Sequence, residues 1–437
     1  MKRRRFLQTA SATGLGLVTA RAPLLALSGS PNDKVVVAIM GLNGRGTVLG
    51  RTFARTPGAE VAYVCDVDAH VLAKGVAKVA EVQPKAPEGL GDFRRALESK
   101  SVDALVIAAP DHWHAPATIL ALQAGKHVYL EKPCGHNPHE GELLLEAQRR
   151  YGRLIQMGTQ RRSSPLAIEA MQAIQEGVIG RPYFARAWYA NTRASIGRGK
   201  ETTVPAELDY ELWQGPAPRA PYRDNVIHYN WHWFRRWGTG EICNNGTHEI
   251  DVARWALGVD YPTRVTSTGG RYHFDDDWEF TDTQEAGFEF EGQKSIVWQG
   301  FSCNGFPTQN RSRGTSIQGT AGSMVLDQDG YTVYDLQNKV VKQAVTPVSA
   351  DPLATSGDDR LTALHVANFV DGVRTGAALH QPIEEGVKSV LLCHLGNIAQ
   401  WTGYALRIDP RSGRILGDEE AMAYWRREYA PGWAPVV

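Results

Sequence analysis

Short runs of apolar, largely β-branched residues without polar alternation recur through the first third of the chain. Each is followed by a stretch with helical spacing. Residues 34–40 (KVVVAIM), 60–65, 103–108 and 127–130 read as strands buried on both faces, and 153–157 as one more. Helical stretches fall between them, one ending near Arg55, one from about Pro116 to Ala124 and one from Pro138 to Tyr151. Strand–helix alternation of this kind predicts an open, parallel, doubly wound sheet over residues 33–157. Beyond residue 157 the pattern changes. A helix at 163–176 precedes strand-like runs at 183–189, 262–269, 283–290, 295–298, 315–318 and 323–327, spaced by turn residues. That spacing predicts a sheet-rich second domain over residues 158–437, and two domains suit a chain of 437 residues. Residues 361–374 carry Leu361, His365, Phe369 and Val373 on one helical face, which makes His365 structural, and about 384–401 reads as a second helix. Residues 197–201 and 349–359 read as surface loops. Pro431, Trp433 and Pro435 read as an arm reaching another copy of the chain.

The first strand runs into Gly41-Leu42-Asn43-Gly44-Arg45-Gly46. Against G-x-G-x-x-G, Gly41 and Gly46 match, and Asn43 takes the place of the second glycine, being a residue that tolerates left-handed backbone angles. N–H groups at the start of the following helix would face a pyrophosphate. The second strand ends in Asp66, where dinucleotide-binding folds place a carboxylate on the ribose hydroxyls. An acid there favours NAD, with NADP second because Arg45 and Asp68 lie nearby. Strand, glycine turn, helix, strand and acid in that order predict a Rossmann domain. Pro110 and His114 follow the third strand and are expected to line the cofactor cleft. The fourth strand ends abruptly in Glu131-Lys132-Pro133. Charged groups at that end of a buried parallel strand sit where open α/β sheets bind ligands, and Pro133 stiffens the Lys132 position.

Charge and composition narrow the classes. Lys+Arg and Asp+Glu balance at 47 each, which argues against a nucleic-acid or anionic-membrane surface. Five scattered cysteines without a C-x-x-C pair indicate neither a disulfide scaffold nor a zinc site. The opening Met1-Lys2-Arg3-Arg4-Arg5-Phe6-Leu7 and the weakly apolar stretch after it resemble a Tat signal over residues 1–30, too short and broken to span a bilayer. An exported, periplasmic protein carried in its folded state is the expectation.

Taken together, the Gly41–Gly46 turn, Asp66, Ala109-Pro110 with His114, and above all Glu131-Lys132-Pro133 resemble the glucose–fructose oxidoreductase, inositol dehydrogenase and rhizopine-catabolism (Gfo/Idh/MocA) family. Gly158-Thr159-Gln160-Arg161-Arg162 and Gly246-Thr247-His248-Glu249-Ile250-Asp251 extend the resemblance to about residue 260. It implies a Rossmann domain followed by a mostly antiparallel sheet domain with flanking helices, whose open face lines the substrate site. It also implies a nicotinamide cofactor, Lys132 as a catalytic or substrate-positioning residue beside an often cis Lys-Pro bond, Glu131 and Gln160 with the cofactor, and Arg161 and Asp251 with the substrate. Relatives often carry Asp where this chain has Asn244, paired with His248 as an acid/base dyad. An amide there could orient the imidazole but not stabilise imidazolium by charge.

The densest run of polar aromatics is His228-Tyr229-Asn230-Trp231-His232-Trp233. Stacking faces interleaved with hydrogen-bonding groups suit a polyhydroxylated ring, so His228, Tyr229, Trp231 and His232 are expected at the substrate. Zinc on His228 and His232 lacks a carboxylate or cysteine cluster, and no metal is expected. The functional expectation is an NAD-dependent oxidoreductase acting on a sugar, cyclitol or glycoside hydroxyl, with Lys132, His248 and Asn244 in the chemistry. It would keep its cofactor tightly bound and form a homo-oligomer. The alternatives are a redox-assisted glycosidase resembling glycoside hydrolase family 109, and a dinucleotide-binding sensor without catalysis.

Overall fold

The unalternated apolar runs pair side by side into one parallel sheet. Its strands are β1 (Val35–Met40), β2 (Ala59–Cys65), β3 (Glu88–Leu90), β4 (Ala104–Ile107), β5 (His127–Leu130) and β6 (Ile155–Met157), in the order β3-β2-β1-β4-β5-β6. The computed structural model describes residues 34–346 and 357–437. The signal-like segment and most of the 349–359 loop lie outside those residues. Helices α1 (Arg45–Arg55), α2 (Ala69–Ala80), α3 (Arg94–Leu97), α4 (Asp111–Gln123) and α5 (Pro138–Tyr151) cover the sheet. Strand order reverses between β1 and β4, and a crevice opens there at the carboxyl ends of the strands.

One helix starts earlier than its pattern suggests. α4 begins at Asp111 rather than near Pro116, so His112 and His114 lie within its first turns and Pro116 lies inside it. A proline there removes the N–H that would bond the carbonyl four residues back. That carbonyl, His112 O, instead accepts from Arg427 Nη2 at 2.7 Å.

The second domain is built on a nine-stranded sheet. Its elements run α6 (Pro165–Gln175), β7 (Pro182–Ala190), α7 (Tyr210–Gln214), α8 (Thr247–Leu257), β8 (Arg264–Gly270), β9 (Thr283–Phe290), β10 (Lys294–Phe301), β11 (Arg313–Gly319), β12 (Gly322–Leu326), β13 (Gly330–Asp335) and β14 (Val340–Val345). α9 (Gly357–Thr375), α10 (Ile383–Thr402), β15 (Leu406–Arg407) and α11 (Glu419–Ala423) complete it. The order is β14-β13-β12-β11-β7-β10-β9-β8-β15, antiparallel throughout except where β10 runs parallel to β7. Alternation in β9 turns Gln284, Ala286, Phe288 and Phe290 inward. Ile250, Ala253 and Leu257 of α8 and Leu392, Leu395 and Ala399 of α10 close that face into a single core. No helix among the described residues is long and apolar enough to cross a membrane.

Two late segments belong to the first domain by contact. Phe369 of α9 packs edge-on against Phe53 and Tyr129, with ring centroids 6.1 and 5.8 Å apart. The arm expected to reach another copy folds back on its own chain. Trp433 meets Trp113 edge-on at 5.3 Å, Gln123 Nε2 donates to Val436 O and Arg150 Nη1 to Val437 O, both at 2.7 Å.

Candidate active site

A cavity of about 410 Å³ runs along the carboxyl ends of β1, β2, β4 and β5 and is roofed by residues of the second domain. Its two ends differ in chemistry.

At the first end, the turn after β1 is cut to fit a close neighbour. Gly41 has φ +82°, and a Cβ there would lie 2.8 Å from Ala108 O; a Cβ on Gly46 would lie 1.6 Å from Gly41 O. The left-handed residue in between is Gly44, at φ +57°, and Asn43 is not among the positive-φ residues. Asn43 therefore does not need the backbone tolerance expected of it, because the next residue takes the strained angle. α1 starts without a side-chain cap, which leaves its first N–H groups to the cavity. Asp66 accepts from the backbone N–H of Leu42 at 2.7 Å and of Asp68 at 3.0 Å, and burial holds its carboxyl above the usual range. These features fit a dinucleotide. Leu42 and Arg45 complete the turn's contribution to the wall, Arg45 donating Nε to Glu131 Oε1 at 2.7 Å and Nη1 to Thr362 at 3.0 Å. Gln160, in the amide orientation that satisfies both its ends, accepts from Arg45 and donates to Gly158 O. Pro110 lines the cavity as the boundary residue of α4. His114 is buried, with Nδ1 2.5 Å from Pro133 O and Nε2 2.8 Å from Ala109 O, so it ties the loops after β4 and β5 together.

His228 lies at this end too. Its Nε2 is 3.0 Å from Asp68 Oδ2, across the domain boundary and beside the acid that closes β2. The structure thus ties it to the segment after β2, while it lines the same cavity as Tyr229, Trp231 and His232.

Lys132 dominates the second end. The Lys132–Pro133 peptide is cis, and Nζ donates to two oxygens of Asn244, the backbone carbonyl at 2.8 Å and Oδ1 at 2.9 Å. Burial lowers the Lys132 pKa, against the opposing pull of Glu131 and Asp111. Asn244 therefore holds the lysine rather than the imidazole of His248. It sits in a single π-helical turn, Ile242–Gly246, that leads straight into α8. Its Nδ2 lies 3.5 Å from Glu241 Oε1, a buried carboxylate that also takes Arg193 Nε at 2.7 Å. His248, in the first turn of α8, lines the cavity, and burial, followed by the Lys132, Arg313 and Arg161 charges, pushes its pKa well down. It stays neutral, as an acceptor for a hydroxyl proton must.

The roof is aromatic. Trp231 stacks on His232 with centroids 3.6 Å apart, and His232 Nδ1 donates to Tyr229 O at 2.7 Å. Burial takes the His232 pKa down to about 3. Tyr229 is half exposed, its hydroxyl accepting from Arg193 Nη1 at 2.8 Å.

Asp251 does not reach the cavity. It is fully buried behind it, accepting from Arg162 Nε and Nη2 at 2.8 and 2.9 Å, from Ser389 at 2.7 Å and from Gln381 at 3.1 Å. It lies one turn along α8 from His248, and its bonds to Arg162, Ser389 and Gln381 make it a structural anchor. Sequence reading missed Arg313, Glu249, Asp111 and Trp213. Arg313 and Arg161 line the cavity and both bond to buried Glu249, the residue next to His248. A signal existed in that adjacency; for Arg313, which opens a strand well over a hundred residues after Lys132, none did.

Residues 35–159 match the model of an oxidoreductase family with an NAD-binding Rossmann fold, and residues 184–305 match that family's C-terminal α/β domain. The chain belongs to the Gfo/Idh/MocA family. NAD is accordingly the dinucleotide of its first domain. An inositol 2-dehydrogenase from Rubrobacter xylanophilus is 31% identical over 175 residues, 40% of this chain and 49% of that protein. The chain thus spans about half the length of that relative. A glycosyl hydrolase family 109 protein from Stenotrophomonas maltophilia is 29% identical over 292 residues, 62% of this chain and 63% of that one. Among solved structures, a levoglucosan dehydrogenase in complex with NADH and levoglucosan superposes with TM-score 0.68 at 16% identity, covering 86% of this chain and 99% of that one. An aldose–aldose oxidoreductase from Caulobacter crescentus gives 0.64 at 17%, covering 86% and 100%. At those identities the likeness is one of fold.

Proposed function

We propose that the protein is an NAD-dependent oxidoreductase that oxidises a CH–OH group of a sugar, cyclitol or glycoside. The observation that carries this reading is the convergence of Lys132 and neutral His248 in the cavity that the Gly41–Gly46 turn opens. Bound along that turn, NAD would supply a hydride acceptor. The side chains do the rest. Lys132, with neutral acceptors at Asn244 and a lowered pKa, is suited to take the hydroxyl proton, and His248 to orient or share it. The Trp231–His232 plate offers a flat face to a sugar ring while excluding water. Gly41, Gly46 and Asp66 hold the dinucleotide.

A redox-assisted glycosidase is the second reading, supported by the family 109 relative, which shares more of this chain than the inositol dehydrogenase does. Both readings suit a tightly held cofactor, and export through the Tat route, supported by the twin arginines near the start, would favour one that recycles in place. The test is to purify the protein, assay bound NAD(H), and screen sugars and nitrophenyl glycosides with and without added NAD. Net NADH formation supports the dehydrogenase. Glycoside cleavage without net reduction supports the glycosidase. Neither activity, with NAD(H) still bound, would leave a sensor.

A further inference from the structure

The stretch between β7 and the π-helical turn, residues 191–241, has a hydrophobic core of its own. Leu208, Tyr210, Trp213, Val226, Phe234 and Trp237 are buried against one another, apart from the cores of the two sheets. Tyr210 stacks on Trp213, and Trp213 meets Trp237 edge-on at 5.2 Å. A cluster packed this way moves as one body. It is tied to the second domain through Asp277, whose Oδ2 accepts from Gly199 N–H at 2.7 Å, Arg223 at 2.8 Å and Asn225 at 2.9 Å.

From there it reaches both rims of the crevice in the first domain. On the β2 rim, Ala69 N–H donates to Glu207 O at 2.9 Å and Asp209 N–H to Val67 O at 3.0 Å. Asp68 fixes its own carboxylate by capping α2 through Oδ1, and its Oδ2 meets His228 Nε2 at 3.0 Å. On the β4 rim, Trp113 Nε1 donates to Trp213 O at 3.1 Å and His112 N–H to Trp237 O at 3.2 Å. β1 lies between β2 and β4, so the Gly41–Gly46 turn lies between the rims. Over it the same stretch supplies Leu212, Trp213, His228, Tyr229, Trp231 and His232 to the cavity wall.

We infer that residues 191–241 are a clasp that must lift off one rim before the site can take up or release NAD, with His228 and Asp68 as its fastening. This deepens the tightly held cofactor of the proposed function and is independent of which hydroxyl is oxidised. His228 acts here as a positioning residue. Entry and exit cross the same barrier, so a loosened clasp speeds both and leaves affinity nearly unchanged. Loss of a direct contact to the dinucleotide would instead quicken release alone and weaken binding in proportion.

The test follows NADH fluorescence with the full-length protein, by association onto nucleotide-free protein and by displacement with excess NAD. Wild type is expected to keep NADH through gel filtration. His228→Ala should raise both rates about 5–10-fold, the worth of a partly exposed hydrogen bond to a carboxylate, and move Kd by less than about 3-fold. His228→Gln, which keeps a donor for Asp68, should return both rates toward wild type. Trp113→Phe, which keeps a ring but lacks the N–H on the other rim, should also speed both. Thermal unfolding checks that each variant folds. Faster release with unchanged association overturns the clasp and makes His228 a direct contact of the cofactor. Unchanged rates in His228→Ala and Trp113→Phe, or loss of NADH from wild type during gel filtration, overturn it too and leave the oxidoreductase reading intact. The expected kinetics in a protein that oxidises no sugar would uphold the clasp while sinking that reading.

Discussion

Lys132 Nζ is gripped by one residue twice, through the backbone carbonyl and the side-chain oxygen of Asn244 at 2.8 and 2.9 Å. Both partners are neutral, so nothing there holds the proton on the lysine by charge. Asn244→Asp would place a carboxylate against the ammonium and raise its pKa by about 1 unit or more. The acid limb of the kcat/KM–pH profile should move up by that amount, with slower turnover at neutral pH. A profile that does not move would remove Lys132 as the titrating base.

Lys132→Ala should lower kcat by ~10²–10⁴-fold, the usual worth of a positioned proton acceptor. NAD affinity should change far less, because the side chain reaches toward Asn244 rather than the glycine turn. Equilibrium titration with NAD separates the two effects, and unchanged turnover would end the assigned role.

Asp66 both holds Leu42 N–H and closes the dinucleotide end. Asp66→Ala should weaken NAD by ~10–100-fold, about what a hydrogen bond to a charged group contributes. NADP should lose less, since removing the acid relieves its 2′-phosphate. Competitive binding of the two dinucleotides reads this directly, and a parallel loss in both would argue against a ribose contact.

Acid should unfold the protein through its buried imidazoles. Burial depresses the pKa of His112 to about 3 and of His365 and His394 to about 4. These rings stay neutral in the fold and take up protons once unfolded, so their stabilisation is complete above about pH 6.5 and drains away as pH falls toward 4. Asp251 and Glu131, held down by Arg162 and Arg45, add to the loss at lower pH, while Asp66 and Asp111, held up by burial, oppose it. Each histidine accounts for up to about 1.4 kcal/mol per pH unit. Thermal unfolding should therefore shift down by several degrees between pH 7.5 and 5. A flat profile would mean that these rings are protonated in the fold.

Trp433→Ala should cost about 0.5–1.5 kcal/mol from the lost edge-on pair, beyond the area it buries. Because Trp113 lines the cavity, NAD dissociation should also quicken. A change in melting temperature without any change in NAD release would confine the arm to stability.

Much of this was readable from local pattern. Residues 283–290 declare β9 by alternation, and the glycine turn with Asp66 declares the first domain, because each is a period or a spacing. Lys132 could be singled out by its place at a strand end, but its hold on Asn244 could not, since it joins two chain positions more than a hundred residues apart. Neither the Asp68 contact of His228 nor the burial of Asp251 behind the cavity could be read from the sequence, for related reasons. A run of polar aromatics does not say which end of a cleft each member faces, and an acid one helical turn beyond His248 points away from the cavity to a buried arginine. β14 went unread because Lys342 and Gln343 break the apolar alternation on an exposed edge strand.

The contact between Trp113 and Trp433 sets a timetable for the ribosome. The residues that form the parallel sheet emerge early, yet one wall of their cavity is braced by side chains made some three hundred residues later. At elongation rates of about 5–20 residues per second, that is a wait of roughly 15–60 s. Through that interval Trp113 and the neighbouring face of α4 lack their cover, so the NAD site is finished only once the Trp433 segment has been made. A nascent chain stalled before residue 433 should hold the dinucleotide loosely, even with every residue of its glycine turn in place.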